Sequence, residues 1–225
     1  MLNRMFRIKI KELGVYEERT YRNQIHSDKM RTSFRVVVKE TDLFIRAGKD
    51  LKDVARESVL RHRGYLENYI RQHAEFAETL IPWIVSGPSP EIVREMAYAG
   101  QLAGVGPMAA VAGALAEYVG QDLLKHTGEV IVENGGDLFI RSREPITIGI
   151  FANQSPLSLH IGLRLAAGEK PMAVCTSSGT VGHSLSMGKA DAVCIVSPSC
   201  MLADAAATSV GNHVQTRRDI PVSYT

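Results

Sequence analysis

Hydrophobic positions along this chain recur with two different periods. Short β-branched and aromatic runs come first: Phe34-Arg35-Val36-Val37-Val38 within 31–39, then Leu43-Phe44-Ile45 after Glu40-Thr41-Asp42, so residues 15–46 read as strands. Over 50–80 the spacing lengthens. Leu51, Val54, Val59, Leu66 and Ile70 fall a helical turn or a multiple of one apart, which predicts one long amphipathic helix. Ser86-Gly87-Pro88-Ser89-Pro90 interrupts it, and Ser89 followed by Pro90 predicts an N-cap and first helical position for a helix to about Ala99.

From residue 100 the texture changes to alanine punctuated by Gly100, Gly104, Gly106, Gly113 and Gly120. Residues 107–125 read as a helix in close contact with a neighbour, because small side chains permit close approach. A strand over 129–133, a turn at Asn134-Gly135-Gly136 and a strand over 137–141 form a hairpin signal. Further strands are predicted over 146–151, 157–165, 172–176 and 190–196. Ser197-Pro198-Ser199 then opens a helix that Gly211-Asn212 closes, followed by a polar tail. The resulting class is α+β: a mixed or antiparallel sheet with packed helices. At 225 residues this is one domain, with a more charged part to about residue 100, a part over 101–212 and a tail over 213–225.

Composition narrows the class of partner. A formal net charge of +2 gives no electrostatic reason to expect nucleic acid. No apolar run of about 18 residues exists, which gives no reason to expect a membrane span, and no secretory signal is apparent. Three cysteines, Cys175, Cys194 and Cys200, make no disulfide framework, so a reducing cytoplasm is the expected setting. Cys175 and Cys194 read as buried strand residues. Cys200, near a helix start, reads as a packed thiol or as one with a lowered pKa.

The chemistry concentrates at Ala203-Asp204-Ala205-Ala206-Ala207-Thr208. In a helix Asp204 and Thr208 lie one turn apart on one face. Both offer hard oxygen donors of the kind Mg²⁺ prefers, and the alanines leave room for a nucleotide or a backbone. The competing reading is a polar pair on a small-residue helix, with Asp204 complementing the helix dipole. His183 sits among glycine and serine, which favours a role outside the core; Arg61-His62-Arg63 reads as a solvated basic face.

Four pieces in order resemble the ApbE family of flavin transferases. They are Gly104-Val105-Gly106-Pro107-Met108-Ala109-Ala110-Val111-Ala112-Gly113, Val132-Glu133-Asn134-Gly135-Gly136-Asp137, Thr176-Ser177-Ser178-Gly179 and Ala203–Thr208. The last matches that family's Ala-Asp-Ala-x-Ala-Thr motif at every fixed position. The match spans about residues 100–212, roughly half the chain, and looks like a shorter branch of the superfamily. Departures fall at Ala110, where the family has lysine, and at Ser186 and Met187, where it has the aspartate and proline that follow a histidine.

The resemblance implies a T-fold-like architecture, a bound flavin nucleotide (FAD) and one Mg²⁺. Members split FAD and attach FMN to a threonine of a client protein, so a protein acceptor is implied besides the small-molecule nucleotide. By motif position Asp204, Thr208 and the Ala109 carbonyl would hold Mg²⁺, and His183 would be the general base. Gly104 and Gly106, the turn residues Asn134, Gly135, Gly136 and Asp137, and the hydroxyl segment Thr176, Ser177, Ser178 and Gly179 would approach the nucleotide. Two rivals share the fold: an accessory protein of sulfur assimilation into homocysteine, and a structural oligomerisation domain. T-fold-like proteins often assemble, so a homo-oligomer is a further expectation.

Overall fold

The computed structural model describes Met30, residues 32–179 and residues 187–220. Strands expected before residue 30, the last residues of the tail, and His183 lie outside the described residues.

Strands β1 (Thr32–Val38) and β2 (Thr41–Ala47) form a hairpin. The helical pattern that follows gives two helices rather than one. Helix α1 (Lys52–Gln72) ends at His73, and a short α2 (Glu75–Glu78) turns away from it. No glycine or proline marks the break. Its cause is tertiary: the turn carries Phe76 into full burial, edge-on to both Tyr69 and Trp83. Helix α3 covers Glu91–Ala103, but Pro90 itself takes the N-cap position and Ser89 supplies no capping hydrogen bond, contrary to the sequence expectation.

The predicted helix over 107–125 divides into a 3₁₀ turn at Pro107–Ala110 and α4 (Val111–Leu124). Proline at the start of the turn sets φ for it. Next come β3 (Val130–Asn134), β4 (Asp137–Arg141), β5 (Ile146–Gly149), β6 (Gly162–Leu165), β7 (Met172–Ser177), β8 (Val193–Ser197) and α5 (Cys200–His213). The alternation over 157–165 overreaches, since only Gly162–Leu165 is strand and Leu159 has a φ of 62°. Gly211 lies inside α5 rather than ending it.

Six strands form one sheet in the order β1-β2-β3-β4-β7-β8, every pair antiparallel, and β5 and β6 make a separate hairpin. The α+β expectation with packed helices holds. Helices α1, α4 and α5 cover one face, where Val132, Phe139, Ala173, Cys175, Val119 and Leu123 pack together. The other face buries Ile131, Leu138, Ile140 and Val174 under the β5–β6 hairpin and Met30. Burial on both sides explains why β3 reads as a continuous Val-Ile-Val run rather than as an alternation. A second, all-helical core joins α1, α3, α4 and α5.

Helix α4 is the centre of the molecule, and nine of its fourteen residues are buried. It touches the sheet through Gly120, where an added Cβ would lie in the Phe139 ring, 2.9 Å from Cγ. Gly120→Ala is therefore expected to cost about 2 kcal/mol despite alanine's better helix propensity, because Phe139 is itself fully buried. A urea unfolding curve with unchanged slope and a lower midpoint is the expected readout.

Candidate functional site

The site grows from one row of residues across the sheet. Strand register sets Leu43 beside Asn134, Asn134 beside Asp137, and Leu138 beside Val174, so that Asp137 stands next to Cys175 on the helix-covered face. Asn134 and Asp137 flank the β3–β4 turn, whose residues Gly135 and Gly136 have φ of 67° and 110°. Positive φ at both central positions is what a two-residue hairpin needs, and glycine adopts it without steric cost. The Gly136 N–H donates to Glu133 Oε1 at 3.1 Å.

The first turn of α4 lies over this row. Asn134 Nδ2 donates to the Ala112 carbonyl at 3.0 Å, and the Gly113 N–H donates to Asp204 Oδ2 at 2.8 Å. The second bond ties α4 to α5. It needs Gly113, since a Cβ there would meet the Cys200 carbonyl and stand 2.9 Å from Asp204 Cβ. Asp204 thus sits where α4 presents otherwise unpaired N–H groups and the positive end of its dipole. Glu117, one turn further along α4, accepts from the N–H groups of Cys200 at 2.8 Å and Met201 at 3.4 Å, and Ser199 Oγ accepts from Leu202. The start of α5 is therefore capped twice, once by its own serine and once by a buried carboxylate of α4. The sequence pattern gave no hint of Glu117's role, because its partners lie more than 80 residues away.

The carboxyls here are held back from ionising. Burial pushes the Asp137 carboxyl up to about 7, against hydrogen bonds from the Cys175 thiol and the Thr176 backbone, and the Glu133 charge adds to the rise. Burial and the Asp137 charge raise Asp204 well above the usual carboxylate range, against the N–H groups of Gly113 and Ala112. Two carboxyls that oppose each other's charge ionise together only with a cation or a donor array between them.

The expected metal residues occupy facing surfaces. Thr208, buried, follows Asp204 by one turn on α5, and α5 packs against the Pro107–Ala110 turn that carries Ala109. Among the described residues no group of three or more His, Cys, Asp or Glu side chains is arranged to hold a metal ion. The donors expected from the sequence are instead one carboxylate, one hydroxyl and a backbone carbonyl, all hard oxygen, a set that would suit Mg²⁺ better than a soft or borderline ion.

Other expected residues take different places. Gly104 ends α3 in the left-handed conformation at φ 70°, and Gly106 lies against the Thr79 and Leu80 backbone, 3.0 Å from Leu80 Cα for an added Cβ. The left-handed helix end accounts for Gly104 and close backbone packing for Gly106. Strand alternation separates the hydroxyl segment: Thr176 faces the far side of the sheet, where its Oγ1 lies 3.5 Å from Cys194 Sγ. Ser177 shares the helix side with Cys175, and its buried hydroxyl has no hydrogen-bond partner among the described residues. The Gly179 N–H donates to the Ala190 carbonyl at 3.0 Å.

The three cysteines are free thiols. Burial, then the Cys200 thiol and neighbouring carboxylates, raise Cys175 well above the usual thiol range. A hydrogen bond with Cys175 pulls Cys200 down, but burial and the carboxylates of Asp137, Asp204 and Glu117 outweigh it and push the thiol up to about 11. The packed-thiol reading of Cys200 therefore holds, and the lowered-pKa reading does not. The basic cluster also differs from its expectation as a solvated face. Arg61 and His62 converge on Asp122 of α4, and Arg63 binds Glu67, Glu40 and Thr41.

No single helix among the described residues is long and apolar enough to cross a membrane. Comparison with known proteins places this geometry in a family. A UPF0280 protein of Methanococcus aeolicus is 38% identical over 182 residues, covering 79% of this chain and 73% of the relative. A UPF0280 protein of Methanocaldococcus jannaschii is 42% identical over 181 residues, covering 79% and 73%. Among solved structures, the apo form of the flavinyl transferase ApbE of Pseudomonas stutzeri matches with a TM-score of 0.56 at 16% identity, covering 85% of this chain and 86% of that one, which shows a shared fold. The family model described as AbpE bacteria matches residues 22–223. A match over nearly the whole length, with the sheet and helices arranged as in an ApbE structure, means that this chain belongs to the AbpE bacteria family.

Proposed function

We propose that this protein binds a flavin nucleotide, FAD, together with Mg²⁺ over the first turn of α4, and transfers an FMN or other nucleotidyl group to a hydroxyl of an acceptor. The observation that carries this reading is the convergence of three sequence-distant pieces. The Asn134–Asp137 turn, Asp204 and the start of α4 meet around two carboxyls that resist ionising beside each other.

Asp204, Thr208 and the Ala109 carbonyl would hold the metal, which supplies charge neutralisation to a diphosphate when bound. The rest follows from the chain's own groups. The positive end of the α4 dipole favours phosphate oxygens. Gly135 and Gly136 keep side chains out of the way at the turn. The Ser177 hydroxyl, buried and unpartnered among the described residues, is a donor available to a ligand. His183 is the proposed base that takes the proton from the acceptor hydroxyl. A sulfur-transfer role through Cys175 or Cys200 draws no support from thiols that are buried and held protonated.

Calorimetric titration with FAD, with and without Mg²⁺, on the parent protein and on Asp204→Asn, tests the reading. Binding that strengthens with Mg²⁺ and weakens by at least about tenfold in the variant is the expected result. A folded parent that binds no FAD under either condition would leave a packing role for the glycines and an oligomerisation domain as the better account.

A further inference from the structure

Beneath the proposed site the core between sheet and helices contains a pair of sulfurs in contact. Cys175 is on β7 and Cys200 is the first residue of α5, and their Sγ atoms are 3.5 Å apart. Cys175 Sγ also lies 3.4 Å from the Cys200 carbonyl. Both residues are fully buried, so no solvent separates them. Cys194 provides an internal contrast. It pairs with Thr176 in the β7–β8 ladder and so stands on the opposite face of the sheet, with its sulfur against Thr176 rather than near the other two.

We propose that Cys175 and Cys200 are a modification site: a dithiol that closes to an intramolecular disulfide when a small peroxide reaches it. The sulfurs need to approach from 3.5 Å to about 2.05 Å. In the first step one sulfur attacks hydrogen peroxide; the O–O bond breaks, that sulfur becomes a sulfenic acid and one water leaves. In the second step the other sulfur attacks the sulfenic sulfur. The S–S bond forms, the S–O bond breaks, and the departing hydroxide takes the second thiol proton as water. Two thiols are oxidised, one peroxide is reduced and two waters are produced. Contact makes the second step intramolecular, so the sulfenic acid is captured before a second peroxide reaches it. Burial has two opposite consequences. It slows the first step, because little thiolate is present. It also shields the finished disulfide from bulky thiol reductants. Closure would staple β7 to the start of α5 across 176–199 and remove the thiol proton that Cys175 offers to Asp137. The inference does not depend on flavin binding.

The test treats the folded protein with graded hydrogen peroxide, blocks remaining thiols with an alkylating reagent, and maps peptides without reduction. The expected product has Cys175 linked to Cys200, with Cys194 either alkylated or singly oxidised. Its thermal midpoint should rise by roughly 5 °C and return to the parent value after reduction in urea and refolding. Cys175→Ser and Cys200→Ser should each abolish the link. A link involving Cys194 would overturn the proposal, and so would a Cys175–Cys200 link that forms only once urea has unfolded the chain. Persistence of both thiols after Cys194 is fully oxidised would overturn it as well.

Discussion

Gly113→Ala is expected to destabilise the protein by about 2–3 kcal/mol and to remove Mg²⁺-dependent FAD binding in the same step. The added methyl has nowhere to go. It would overlap the Cys200 carbonyl and stand 2.9 Å from Asp204 Cβ, and both belong to α5, which is held at its start by Glu117. Overpacking of a tight contact costs about 1–3 kcal/mol, and losing a hydrogen bond to a carboxylate adds to that. Alanine's helix propensity returns only about 1 kcal/mol. For a chain of this size the net loss corresponds to a thermal midpoint lower by roughly 5–10 °C. The binding loss has a separate origin: α5 must move away, and it carries both Asp204 and Thr208. Urea unfolding and calorimetry on one preparation check the two effects together. A variant with parental stability would show that the α4–α5 contact can slide without cost.

The second large effect is expected at Asp122, which ties α4 to α1. Its carboxylate accepts from Ser58 Oγ at 2.6 Å, Lys125 Nζ at 2.7 Å and His62 Nε2 at 3.0 Å, and pairs with Arg61. Burial alone would raise this carboxyl, but the bonds from Lys125, Ser58, His62 and Arg61 outweigh it and hold it far below the usual carboxylate range. Truncation to alanine strands Ser58 and His62 in the interior, and a loss of about 3 kcal/mol is expected; Arg61 and Lys125, which are largely exposed, rehydrate and limit the cost. The pH dependence has a definite sign. A depressed native pKa means that the unfolded state binds more protons in acid, so the contribution of Asp122 is complete above about pH 4 and is lost as pH falls below it. His62 adds a second, opposite slope: burial lowers its pKa and Asp122 raises it, so the stability difference between parent and Asp122→Ala should grow as pH falls from 8 to 5 and shrink only below about pH 4, where Asp122 itself loses its contribution. Chemical unfolding from about pH 8 to about pH 3 measures it, and a difference that keeps growing below about pH 4 would contradict the assigned network.

The features that were legible in the sequence are the ones whose causes are local. The β3–β4 hairpin follows from Gly135-Gly136 between two apolar runs, and the start of α5 from Ser199. The break at His73 had no local marker, since it exists to bury Phe76 between Tyr69 and Trp83. Arg61 and His62 looked like solvent-facing charge because Asp122 is about 60 residues distant. At the site, Asp204 and the Asn134–Asp137 turn were visible as motifs, but their meeting depends on strand register and on the Gly113 contact. Thr176 and Ser177 looked equivalent in sequence, and the strand assigned them to opposite faces.

One arrangement of glycines bears on how this fold can change. Gly179 has no room for a side chain because of the Gly188 carbonyl, and Gly188 has none because of Gly211 on α5. Met187 N–H donates to Asn212 Oδ1 at 2.8 Å and Lys189 N–H to the Val214 carbonyl at 2.8 Å. Three backbones stacked this closely lock the end of β7 and the last turn of α5 onto one segment, Met187–Lys189. A side chain at Gly179 or Gly188 would have to part them, so a single substitution at either position would loosen the sheet edge and the end of α5 together.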